Sequence, residues 1–137
     1  MRNPNWFGLL FVLWILGIST LSLISFDLED GPDIDLPFTD KIVHFAFHCI
    51  AMLLGGLALR KQVGHKVRPR RPLTFLTIGL ILYGMLIEGL QAIMPTGRSA
   101  ELLDVFANSL GLGMGLVLLK LIFEKSSYLK WQDKLHI

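Results

Sequence analysis

Residues 73–94 read LTFLTIGLILYGMLIEGLQAIM, twenty-two positions of which only Glu88 carries a charge. A helix rises about 1.5 Å per residue, so this run covers the roughly 30 Å of a bilayer's hydrocarbon core. A stretch of that length and apolarity reads as a membrane-spanning helix. Three more runs of the same kind flank it: Trp6–Phe26, Ile42–Leu59 and Leu102–Phe123, of 21, 18 and 22 residues. Short polar connectors join them. The expected fold is therefore all-α, a bundle of four transmembrane helices forming a single domain over residues 1–137, with the bilayer as its first partner.

Composition agrees with that reading. The chain is 53% hydrophobic and only 18% charged, with a mean hydropathy of +0.57. A soluble domain carries about a quarter charged residues, and a disordered one needs low hydrophobicity, so both classes are excluded. Cys49 is the only cysteine, which excludes an intrachain disulfide scaffold. The first run follows Arg2 and invites comparison with a secretory signal. It exceeds the 7–15 apolar residues of a signal core and ends without an A-x-A-like site, so it is read as a retained span. The second run is the shortest and contains His44 and His48, whose polarity calls for a role in function or helix packing.

Charge sets the expected orientation. The connector 60–71, RKQVGHKVRPRR, has six Lys or Arg and no acid; the connector 27–40, DLEDGPDIDLPFTD, has six acids and no base. By the positive-inside rule the basic connector is cytoplasmic, and four crossings then put both termini inside. Arg2, Lys125, Lys130 and Lys134 fit that arrangement, leaving Lys41 and Arg98 as the outward-lying bases. The basic connector has no interleaved aromatics, so it reads as topology signal and anionic-lipid contact rather than a nucleic-acid patch. The segment 124–137, with Tyr128 and Trp131, reads either as an interfacial tail along the headgroups or as a frayed end.

Polar groups inside hydrocarbon are costly, and their placement here is not random. His44, His48, Glu88, Gln91, Asp104 and Asn108 all fall within about 9 Å of the outer ends of their spans. Asp40, His44 and His48 follow i, i+4, i+8, with Lys41 beside them; Glu88 and Gln91 are i, i+3; Asp104, Asn108, Gly111 and Gly115 follow i, i+4, i+7, i+11. Each of the three later helices thus has one polar face at one depth, and the faces are expected to meet, closed above by Arg98 and Ser99. For each residue alone, interhelical hydrogen bonding or helix capping is a sufficient role. Together they nominate a site. Gly111 and Gly115, extended back through Ala107, form a small-residue stripe expected to let another span of the same chain approach closely.

Three motifs carry a family resemblance. They are T-DK-x-x-HF (Thr39 to Phe45), YG-x-x-x-E-x-x-Q (Tyr83 to Gln91) and R-S-x-E-x-x-D-x-x-x-N-x-x-G (Arg98 to Gly111). In this order between spans, they resemble the signature of the VanZ-like family, over about residues 40–115. The family's namesake is a teicoplanin-resistance protein encoded with a glycopeptide-resistance cluster. The resemblance implies a small polytopic protein of the bacterial envelope, seated in the cytoplasmic membrane and associated with antibiotic resistance. It marks Asp40, Lys41, His44, Glu88, Gln91, Arg98, Asp104, Asn108 and Gly111 as family positions. It supplies neither an activity nor a cofactor, and His48 enters the cluster by helical spacing alone.

Several chemistries can be written on these residues. In the first, the pocket binds an amphiphile such as a lipid-linked intermediate or a lipoglycopeptide. There Lys41 and Arg98 face an anionic head group, Asp40, Gln91, Ser99 and Asn108 help to line the site, and His44, Glu88 and Asp104 are the candidate catalytic groups. Against an open anion trap, Asp40, Glu88 and Asp104 are available to salt-bridge both cations. A metal-dependent hydrolase using His44, His48, Glu88 or Asp104 lacks an H-E-x-x-H context, and no metal is assigned. A triad of Ser99, His44 and Asp104 lacks a strained nucleophile turn. A non-catalytic assembly or recognition role needs no chemistry at all. Transport would need polar groups continuing through the inner halves, which are apolar. The sequence leaves open whether the protein is an enzyme.

Overall fold

The computed structural model describes residues 4–23, 39–63, 70–94 and 101–125. They form four helices: α1 (Trp6–Leu23), α2 (Thr39–Val63), α3 (Arg70–Ile93) and α4 (Leu102–Lys125). The expected ends of the first span (24–26), most of both charged connectors, Arg98, Ser99 and the tail from residue 126 lie outside the described residues.

Local chemistry accounts for the helix starts. Asn5 caps α1: its Oδ1 accepts the Gly8 N–H at 3.2 Å, satisfying one of the amides that a first turn leaves without a partner. Pro72 sits in the first turn of α3, where its missing N–H removes no helical bond. The α4 start is closed by the Asp104 N–H donating to the Glu101 carbonyl at 3.0 Å. The α2 helix begins three residues ahead of the apolar run expected from hydropathy, so Asp40 and Lys41 share the helical register of His44. An acid in that first turn, and Arg60 and Lys61 in the last, both complement the helix dipole.

Helices consecutive in the chain run antiparallel, so α2 and α4 lie parallel, as do α1 and α3. At one end Lys41 meets Glu101, and the Gln91 side chain meets the Ser22 carbonyl. At the other, Asn5 Nδ2 donates to the Ala58 carbonyl and Lys61 to the Pro4 carbonyl. The central helix is α2, which packs against α1, α3 and, most extensively, α4. Glycine permits that last approach: a Cβ built on Gly111 would lie 2.2 Å from the Phe45 carbonyl oxygen, and one on Gly115 would lie 2.7 Å from Met52 Cβ. The small-residue stripe thus faces α2 of the same chain. Below it Met52, Leu112 and Leu119 are fully buried, joined by Ile18, Ala51, Leu80 and Phe123.

The outward faces are apolar. Phe75, Ile93, Leu102 and Phe106 are 74%, 78%, 89% and 61% exposed, a surface suited to lipid rather than water. All four helices are long and apolar enough to cross a membrane, α1 over Trp6–Leu23 and the others over about 24 residues each. The described residues are all-helical, and four helices of this length and apolarity suggest a multi-pass membrane protein.

Candidate functional site

The polar faces of α2, α3 and α4 meet at one end of the bundle. His44 is 9% exposed and lies at the junction. Its Nδ1 donates to Asn108 Oδ1 on α4 at 3.2 Å and lies 3.5 Å from Glu88 Oε1 on α3. With Nδ1 so engaged, Nε2 points toward Asp40 Oδ1, one helical turn back on α2, at 3.6 Å. One imidazole therefore connects three helices, an orientation set by hydrogen bonding at the ring nitrogen that faces inward.

Lys41 forms a second knot. Its Nζ lies 2.5 Å from Glu101 Oε2, 2.9 Å from Asp104 Oδ1 and 3.6 Å from Asp40 Oδ2. The ammonium is already surrounded by carboxylates, so it neutralises acids instead of waiting for an anion. Asp104 is 3% exposed, and losing Lys41 would leave its charge in a place that disfavours charge. Glu88 is 4% exposed, with His44 Nδ1 3.5 Å from its Oε1 and the Glu101 backbone as its second described neighbour.

Of the residues expected to assemble, Asp40, Lys41, His44, Glu88, Asp104 and Asn108 come together. Gln91 is buried and turns the other way, its Nε2 donating to the Ser22 carbonyl of α1 at 2.8 Å. It acts as a tie between α3 and α1. Arg98 and Ser99 lie outside the described residues. His48 sits one turn deeper than His44: its Nδ1 donates to the His44 carbonyl at 3.2 Å. Gly84 provides the room, since a Cβ there would stand 2.9 Å from His48 Nε2. Its ring centroid is 6.2 Å from that of Tyr83.

Two contributions escape a reading by polar stripes. Glu101 suggests only a helix cap from its position, yet it is the nearest acid to Lys41. The first helix, read as a plain span, also takes part: Ser19 Oγ and Tyr83 Oη lie 2.9 Å apart, and Ser22 borders the cluster. The signal was present, since Ser19 and Ser22 are i, i+3 at the depth of the other polar groups.

Between α1 and α2, a cavity of about 220 Å³ opens beside His44. Asp40, His44 and Ser22 line one part of it, and Leu21, Val43 and Phe47 the rest. The volume is below the 300–1,000 Å³ of a whole small-molecule pocket, so it suits a head group and the beginning of a chain. Asp40, His44 and Asp104 also present ligand atoms that all lie within 4.8 Å of one another.

Fold and site together define a class, a four-helix membrane bundle with a buried ionic cluster at one end. No protein-family model, curated protein or solved structure matches the chain.

Proposed function

We propose that the chain is a VanZ-like protein of the bacterial cytoplasmic membrane, with both termini inside, that receives the polar head of an amphiphile in the outer half of the bilayer. The cavity beside His44 carries this reading. Its lining combines the acid and hydrogen-bonding groups of Asp40, His44 and Ser22 with the apolar Leu21, Val43 and Phe47, a mixture suited to an amphiphile. The motif order supports the family, and the segregated connector charges support the orientation.

Cluster geometry bears on the head group. An anion would need a free cation, and Lys41 is held by Glu101 and Asp104, leaving Arg98 to meet it. The cavity's own polar lining, Asp40, His44 and Ser22, favours a head group that also donates hydrogen bonds or carries an amine. A lipid-linked intermediate and a lipoglycopeptide antibiotic both combine such groups with an acyl or isoprenoid tail.

Native mass spectrometry of the full chain in a mild detergent tests the proposal. A retained lipid whose occupancy falls when Val43→Trp fills the cavity supports it; absence of lipid, or indifference to that substitution, sinks it. The 3.5 Å approach of His44 to Glu88 favours a second reading, acid/base chemistry on the bound head group. Under it, Glu88→Gln keeps the lipid yet abolishes any protection from teicoplanin that expression of the chain confers. Parallel loss of lipid and protection favours a purely binding role.

A further inference from the structure

Among the described residues the cluster holds four carboxylates, one ammonium and the imidazole of His44. Lys41 meets Asp40, Glu101 and Asp104, and Glu88 lies 3.5 Å from His44 Nδ1. Asp104 and Glu88 are among the most buried residues of the chain, at 3% and 4% exposure. Carboxylates at such a depth are expensive unless a positive charge stands close by.

Geometry specifies which kind. Asp40 and His44 are i, i+4 on α2, so they face one direction from one helix, and Asp104 comes from the first turn of α4. Their ligand atoms lie within 4.8 Å of one another. Ligands about 2.1 Å from a tetrahedral zinc stand about 3.4 Å apart, so closure asks for at most about 1.4 Å of side-chain movement. The imidazole is already set for coordination. Nδ1 donates inward to Asn108, with Glu88 at 3.5 Å, which leaves Nε2 on the side of Asp40. A buried carboxylate behind a ligating histidine is the usual support of a zinc-bound imidazole, the place that Glu88 holds with Oε1 3.5 Å from Nδ1.

We infer that Asp40, His44 and Asp104 form a zinc site, with Glu88 and Asn108 orienting His44 from behind and the fourth coordination position free. The nitrogen ligand selects zinc over magnesium, which prefers an all-oxygen shell. The site shares Asp40 and His44 with the cavity of the amphiphile reading but is tested with the ion alone.

The test is a zinc titration of the metal-free full chain in a mild non-ionic detergent, followed by native mass spectrometry with magnesium in excess. One zinc per chain is expected, undisturbed by magnesium. Replacing a group that only supports a ligand weakens metal binding about 10- to 100-fold, so Asp40→Asn, His44→Gln and Asp104→Asn, which change ligands themselves, are each expected to weaken it at least about 10-fold. Asp40 is exposed and its Asn replacement nearly isosteric, so that variant decides the matter should the buried ones fail to fold. Lys41→Gln is expected to tighten zinc, because it removes an ammonium 2.9 Å from a ligand oxygen. The double variant His65→Gln/His136→Gln, which removes the histidines of the connector and tail, is expected to bind zinc normally. Absence of zinc binding, wild-type affinity in Asp40→Asn, or loss of zinc in the connector and tail variant would overturn the inference.

Discussion

His44 and Lys41 illustrate how a single side chain can organise a membrane bundle. Lys41 binds the start of α2 to the start of α4 through Glu101 and Asp104. Replacing it by Met removes the counter-charge of a buried carboxylate, and the folded chain is expected to melt at lower temperature in detergent. Adding Asp104→Asn to Lys41→Met should recover part of the loss, because the orphaned charge goes with it; a thermal-melting cycle of the four proteins reads the coupling. Gln91 makes a different prediction. The Ser22 carbonyl lies in the last described turn of α1, and Gln91 donates to it from α3. Gln91→Leu is expected to cost about 0.6 kcal/mol, and at most about 1.7, the range measured for hydrogen bonds between membrane helices. Zinc affinity should not change, which separates the tie from the cluster.

At the level of elements, the α2–α4 crossing determines the site. His44, Asn108, Lys41 and Asp104 meet only because the two backbones come close enough at Gly111 and Gly115. Gly111→Ala drives a methyl into the Phe45 carbonyl, a backbone atom that cannot rotate aside, and overpacking of this kind costs about 1–3 kcal/mol. Gly113, on the other side of the same helix, has nothing within 4 Å of its Cβ position. Gly113→Ala is therefore expected to be neutral or slightly stabilising through its better helix propensity. Comparing the unfolding of the two variants in detergent checks both, and equal loss would show that the crossing does not depend on the glycine stripe. The stripe itself was legible from spacing. The helix it would face was not, because small residues permit approach without naming a partner.

For the whole molecule, the decisive property is that all four polar patches lie at one end. Antiparallel connection of four spans brings the start of α2, the end of α3, the start of α4 and the end of α1 together. The acidic connector leads into that end and the basic connector into the other, so labelling can orient the site. In a Cys49→Ser background, a cysteine introduced by Asp33→Cys is expected to react with a membrane-impermeant thiol reagent from outside. One introduced by Lys66→Cys should react only after the membrane is opened. The reverse pattern would place the cluster at the cytoplasmic face and remove the outer-leaflet reading, while leaving the zinc inference untouched.

Length, hydropathy and the spacing of a few costly residues were enough to determine four helices and the depth at which their polar groups lie. A charge in an apolar run is informative in one dimension, because depth along a helix follows directly from residue number. Rotation and pairing do not follow, since they depend on which neighbouring helix a face meets. Tertiary structure alone decided that Lys41 is enclosed by Glu101 and Asp104, that Gln91 serves α1, and that His44 faces Asn108 and Glu88 with one nitrogen and Asp40 with the other. Each of these depends on distances of a few ångströms between helices far apart in the chain.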